Sequence, residues 1–255
     1  MQYTQRTDKF CQGLLAGRVG LLVDGLPLGY LLPVNLGYLM QTPEDRGTDY
    51  ISATCVRVLR YLALFISLFL PAAYVAMAAF HPEMIPNQLL LAIIESKERV
   101  PFATIFEVLG LLVSFELIQE AGISLPQPIG QTLSIIGGLV VGSAAVEANL
   151  ISPAALIVVA TAGICGYALP GKDFSDAMRL WRFLLAVCGS IAGLFGVTAG
   201  AIALVVHLAG LESFGIPYLA PFSSLQGGRA ILRPRFIHRK YRDPLLKPQD
   251  IKNQR

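Results

Sequence analysis

The chain has 255 residues, 54% of them hydrophobic and 15% charged, with a formal net charge of +3 and a mean hydropathy of +0.59. It is too apolar for an ordinary soluble domain and too long for a single buried core, which excludes the soluble classes and leaves a multi-pass membrane protein. The charge is uneven: residues 226–255 hold nine Lys or Arg against Asp243 and Asp250, a local +7 that leaves −4 for the rest.

The first twelve residues are polar and mixed in charge, without the apolar run of a signal peptide, so insertion is expected to begin at an internal segment. Cys11, Cys55, Cys165 and Cys188 have neither C-x-x-C nor metal-ligand spacing and read as packing residues. In residues 17–33, Asp24-Gly25 separates two short apolar runs, which signals a β-hairpin. A lone hairpin is marginal in water, so it is expected to be the last piece of a soluble domain that begins upstream. Thr42-Pro43-Glu44-Asp45 supplies an N-cap, a proline at the first helical position and two acids in the first turn, predicting a helix toward Arg60.

Residues 61–80 carry no charge and follow Arg57 and Arg60, which suits a first span entered from the cytoplasm, kinked at Pro71. Residues 81–101 form a polar connection on the outer side. The next 72 residues, 100–171, contain no Lys, Arg or His, and their only charges are Glu107, Glu116, Glu120 and Glu147. An ionisable side chain in a bilayer is costly and tends to be kept for a task, which makes these glutamates candidate functional groups. Segment 102–118 is apolar but carries Glu107 and Glu116 and barely crosses a hydrocarbon core. Residues 131–146 and 151–169 form an apolar pair, and 183–211 is a single run of 29 residues. Five spans would put the amino end and the basic tail on opposite sides. Setting 102–118 aside leaves four, with both ends cytoplasmic by the positive-inside rule. The expected fold is therefore an all-α multi-pass membrane protein of four to five transmembrane helices. Its divisions are 1–57 as the end of a cytosolic amino-terminal domain, 58–211 as the transmembrane domain and 212–255 as a cytosolic basic tail resting on anionic lipid. The tail lacks the aromatic interleaving of a nucleic-acid reader.

Gly189, Gly193, Gly196 and Gly200 recur as a close-packing face on the last run, as do Ser134, Gly138, Gly142 and Ala145 on the third, within a protomer or between copies. Glu116 and Glu120 stand four apart, a cation or proton site unless both heads reach water. Glu147 continues inward through Ser143, Val140 and Ile136. Repeated in a ring, that face presents carboxylates above an apolar constriction, as in a cation-selective mouth, unless Glu147 simply caps the next helix with Asn149 and Ser152. His207 reads as a packing residue, since no second ligand stands at metal spacing. No phosphate-cradling glycine loop, G-x-S-x-G or other catalytic set is present, so neither an enzyme nor a cofactor is implied.

Ordered blocks along the chain carry a family resemblance. They include Leu22-Val23-Asp24-Gly25, His81-Pro82-Glu83-Met84-Ile85-Pro86, Gly142-Ser143-Ala144-Ala145-Val146-Glu147-Ala148, Ile151-Ser152-Pro153, Arg179-Leu180 with Arg182-Phe183, and Ser213-Phe214-Gly215-Ile216-Pro217-Tyr218. On these the chain resembles the membrane half of the A subunits of spore germination receptors, the GerA family. The resemblance implies a nutrient-receptor subunit of the inner spore membrane, assembled with B and C subunits, whose copies oligomerise around an ion-conducting pore. It carries no catalytic residues. A secondary transporter and a receptor scaffold are the alternatives, the former weakened because no inverted repeat is visible.

Overall fold

Short pieces open the chain and long apolar helices follow. A computed structural model describes residues 2–123 and 129–220 together with Phe222, Leu232 and Leu246. It is mostly helical and divides into two compact units. One comprises residues up to Leu62 and those from Leu204 onward, the other Ala63–Ala203.

In the first unit the expected hairpin forms: β2 (Val19–Leu22) pairs antiparallel with β3 (Gly29–Leu32), Val19 opposite Leu32. Gly25 supplies the turn with φ 81°, a conformation only glycine adopts without strain. The support that a hairpin needs is local. β1 (Gln2–Thr4) pairs with the other edge of β3, giving a three-stranded sheet in the order β1-β3-β2. Helix α1 (Thr7–Leu15) lies on this sheet, Phe10 over Gly20 and Gly29, and Gly13 against Leu31.

After the short helix α2 (Leu36–Leu39), the predicted helix from Thr42 toward Arg60 is broken in two. The capping box of Thr42 and Asp45 starts only a single 3-10 turn, Pro43–Arg46. Helix α3 then begins at Tyr50 and runs unbroken through Pro71 to Phe80. The Asp45 carboxylate that caps this turn also holds two arginines of α3. The chain also returns here late. Strands β4 (Glu212–Ser213) and β5 (Ile216–Pro217) form a two-residue hairpin at Phe214-Gly215. It is tied to the early chain by Val34 N–H donating to Ser213 Oγ (3.1 Å) and Leu36 N–H to the Tyr218 carbonyl (2.8 Å).

The second unit holds α4 (Asn87–Lys97), α5 (Thr104–Ile123), α6 (Ile129–Glu147), α7 (Pro153–Tyr167) and most of α3 and α8 (Lys172–Gly210). α5 packs against both α6 and α7, and its Val108, Leu111 and Leu112 join Tyr74, Val75, Val159 and Ala186 in the core. By length and composition α3 and α8 are apolar enough to cross a membrane, and α7 is apolar but shorter.

The last apolar run is not one straight helix. Ala192 (φ −128°, ψ 19°) and Gly193 (φ 59°, ψ −143°) leave helical geometry. A Cβ on Gly196 would stand 2.0 Å from the Cys188 carbonyl oxygen, and one on Gly200 2.8 Å from Leu185 Cδ2. Residues eight apart on a straight helix are about 12 Å apart along its axis. α8 therefore folds back as a tight hairpin with arms 172–191 and 194–210. The expected single face of Gly189, Gly193, Gly196 and Gly200 does not exist. Gly193 makes the turn, against Phe80 and His81, while Gly189, Gly196 and Gly200 let the arms and α3 approach. Gly138 and Gly142 likewise pack inside the protomer, against Phe115 and Leu156. Cys188 lies in this hairpin, whereas Cys11 and Cys55 are exposed, so packing accounts for only some of the cysteines.

Candidate functional site

Glu107, Glu116, Glu120 and Glu147 occupy three different environments. Glu107, in the first turn of α5, is buried. Its Oε2 accepts from the Ser152 N–H (3.0 Å) and hydroxyl (2.8 Å). Ser152 is the N-cap of α7, its Oγ accepting from the Ala155 N–H at 3.4 Å, so Glu107 fixes the start of that helix. Lys97 Nζ stands 3.6 Å from Glu107 Oε1 and also contacts Thr104 Oγ1.

Glu116 and Glu120 do not form a pair. Glu116 meets Arg179 of α8 at 2.5 Å, and Arg179 also donates to Gln119 Oε1 at 2.8 Å and to Asp176. Glu120 is exposed and makes no ion pair among the described residues. The cation that relieves the carboxylate therefore comes from another helix of the same chain. Arg182, one turn on from Arg179, is buried too. The sequence reading overlooked Lys97, Asp176, Arg179 and Arg182 as partners. The visible signal was Asp176, Arg179 and Arg182 at a three-residue period before an apolar run, while the preceding segment held acids and no base.

Glu147 stands alone. α6 ends beside it on Asn149, a left-handed residue with φ 54°, and the Leu150 N–H closes the cap on Ala145 O at 2.9 Å. Ser152, not Glu147, caps α7, and Glu147 is exposed, as are Ser143 and Val140, the latter by 57%. This face is opposite the stripe of Gly138 and Gly142 that packs on α5 and α7, as a 100° helical step requires. Ile136 shares the helix, but its side chain lies outside the described residues, as does nearly all of the basic tail. His207 is exposed on the second arm of α8.

A fourth polar cluster holds the first unit together. Asp45, 3% exposed, accepts from Arg57 Nε (3.1 Å) and Arg60 Nη1 (2.9 Å), and Arg57 is 2% exposed. Arg60 also reaches Met40 O and Thr42 Oγ1. Burial pushes the Asp45 carboxyl up, but Arg60 first and then Arg57 outweigh it and hold it below the ordinary value.

A family model described as Bacillus/Clostridium GerA spore germination protein matches residues 1–245. The chain belongs to the GerA spore germination protein family. Spore germination protein KA of Bacillus subtilis is 43% identical over 227 residues, 88% of this chain and 42% of that protein. The uncharacterized membrane protein YfkQ of B. subtilis is 42% identical over 223 residues, 88% and 44% of the two chains. Spore germination protein GerLA of Bacillus cereus is 33% identical over 259 residues, 98% of this chain and 53% of its own. The chain thus spans about half the length of the curated relatives it matches. No solved structure matches it.

Proposed function

We propose that this GerA-family chain is a non-enzymatic membrane subunit of a nutrient germinant receptor in the inner spore membrane. In this reading it assembles with B- and C-type subunits, and its copies gather into a ligand-gated cation channel. Family membership supports the receptor role. The observation that carries the channel reading is the exposed row Glu147, Ser143 and Val140 on α6. The opposite side of that helix is consumed by internal packing, so this face is left for a neighbouring copy or for ions. A ring of Glu147 carboxylates concentrates cations, and Val140 beneath it supplies an apolar constriction that gates by dewetting. A secondary transporter finds less support, since Glu116 already has a cationic partner in the chain.

The same helices suggest six passes. α3 leads outward, α5, α6 and α7 cross in turn, and the arms of α8 go out and return. In spores carrying the assembled receptor, Glu147→Gln should lower nutrient-triggered cation release with assembly intact. Val140→Ala should instead cause release without nutrient, because a wider constriction stays wet. Wild-type ion release by both variants sinks the pore assignment of α6.

A further inference from the structure

We infer that the oxygen cluster around Glu107 is a monovalent-cation site, held in this structure by the Lys97 ammonium as a tethered substitute. Glu107 is 2% exposed. Its Oε2 is spent on Ser152, while its Oε1 has no hydrogen-bond partner among the described residues. Lys97 Nζ, at 3.6 Å, neutralises that oxygen without bonding to it. A buried carboxylate oxygen in this state carries a desolvation cost that a closer cation would remove.

Hydroxyls lie around this carboxylate. Thr104 precedes Glu107 by one turn on α5 and contacts the same ammonium. Ser152 Oγ, which donates to Glu107 Oε2 and accepts from the Ala155 N–H, keeps one lone pair. Tyr74, 6% exposed, brings its hydroxyl beside Ser152 and Glu107. One carboxylate and three hydroxyls are hard oxygen donors carrying a single negative charge, which suits an alkali ion better than a divalent or transition metal. No group of three His, Cys, Asp or Glu gathers to hold a metal among the described residues. Lys97 ends α4 with its side chain 25% exposed, so its head can withdraw to water and yield the site. This site is separate from the Glu147 face, and its test does not depend on channel activity.

The full chain in detergent would be treated with an amine-acetylating reagent in KCl, in NaCl or in N-methyl-D-glucamine chloride at one ionic strength. Peptide masses would then report acetylation at Lys97, with Lys9 as internal control. An alkali ion that binds displaces the ammonium by mass action, so Lys97 labelling should rise about threefold or more in at least one alkali salt. Lys97→Met leaves Glu107 dependent on a free cation and should melt several degrees higher in that salt than in the bulky one, whereas Lys97→Met with Glu107→Gln should not respond. Labelling equal in all three salts overturns the inference and leaves Lys97–Glu107 a structural ion pair. Cation-independent melting of a folded Lys97→Met does the same. Labelling reads the wild-type chain, so it decides even where Lys97→Met does not fold.

Discussion

Asp45 shows how much one carboxylate can carry. Two guanidiniums, the buried Arg57 and the partly exposed Arg60, share it within 3.1 Å. Removing it strands both charges, and breaking a buried pair in this way costs about 3–5 kcal/mol. Asp45→Ala is therefore expected to lower the stability of the first unit by that order, read as faster amide exchange over 42–60 and a lower melting temperature. The pH dependence has a definite sign. The folded carboxyl titrates below the ordinary Asp value, so the clamp is at full strength above that value and is lost as pH falls through the folded pKa. The protection factors of amides over 42–60 should stay constant from neutral pH to about 5 and should fall only in stronger acid. An unchanged protection factor in strong acid would show that Asp45 does not hold this turn.

The hairpin of α8 rests on close approach between its arms. At Gly196 even a methyl group would run into the Cys188 carbonyl oxygen, whereas a methyl group on Gly210 would meet nothing within 4 Å among the described residues. Backbone cannot yield as a side chain does, so Gly196→Ala is expected to cost the upper part of the roughly 1–3 kcal/mol typical of overpacking. Gly210→Ala should be neutral. Thermal unfolding in detergent and a cross-linking ladder separate two roles for Gly196. Lost stability places its contact inside the protomer, as described, while intact stability with a weakened ladder would place it between copies.

Across the molecule, crossing order is the property most open to test. Ser152 lies against Glu107, in the first turn of α5, while Phe115 of α5 meets Gly138 of α6. α5 and α7 therefore start at the same level, with α6 running between them. Asn149, in the α6–α7 connection, should then be on the outer side, the side of His81. A four-span arrangement with residues 102–118 set aside puts it in the cytoplasm. Asn149→Cys in a Cys-free background should react with an impermeant thiol reagent from outside, and labelling only from inside would favour four spans.

What could be read from the chain alone follows from interactions that are local. Hydropathy marked the apolar helices, Asp24-Gly25 marked the hairpin, and Thr42-Pro43 marked a helical start, because each depends on neighbours a few residues away. Family blocks did the same for membership. Partners were a different matter. Lys97 finds Glu107 ten residues on, Arg179 finds Glu116 from 63 residues away, and Ser152 reaches Glu107 across 45. No periodicity encodes such distances, so the partners of Glu107 and Glu116 emerge only in the folded chain. The break at Ala192-Gly193 was hidden for the same reason. An apolar run looks identical whether it continues or reverses, and what settles its direction is whether Gly189, Gly196 and Gly200 have a backbone to lie against. Glu147 is singled out by its spacing to Ser143 and Val140, but that this face is exposed while Gly138 and Gly142 turn inward is decided by the fold, because exposure is a property of the packed chain and not of any segment.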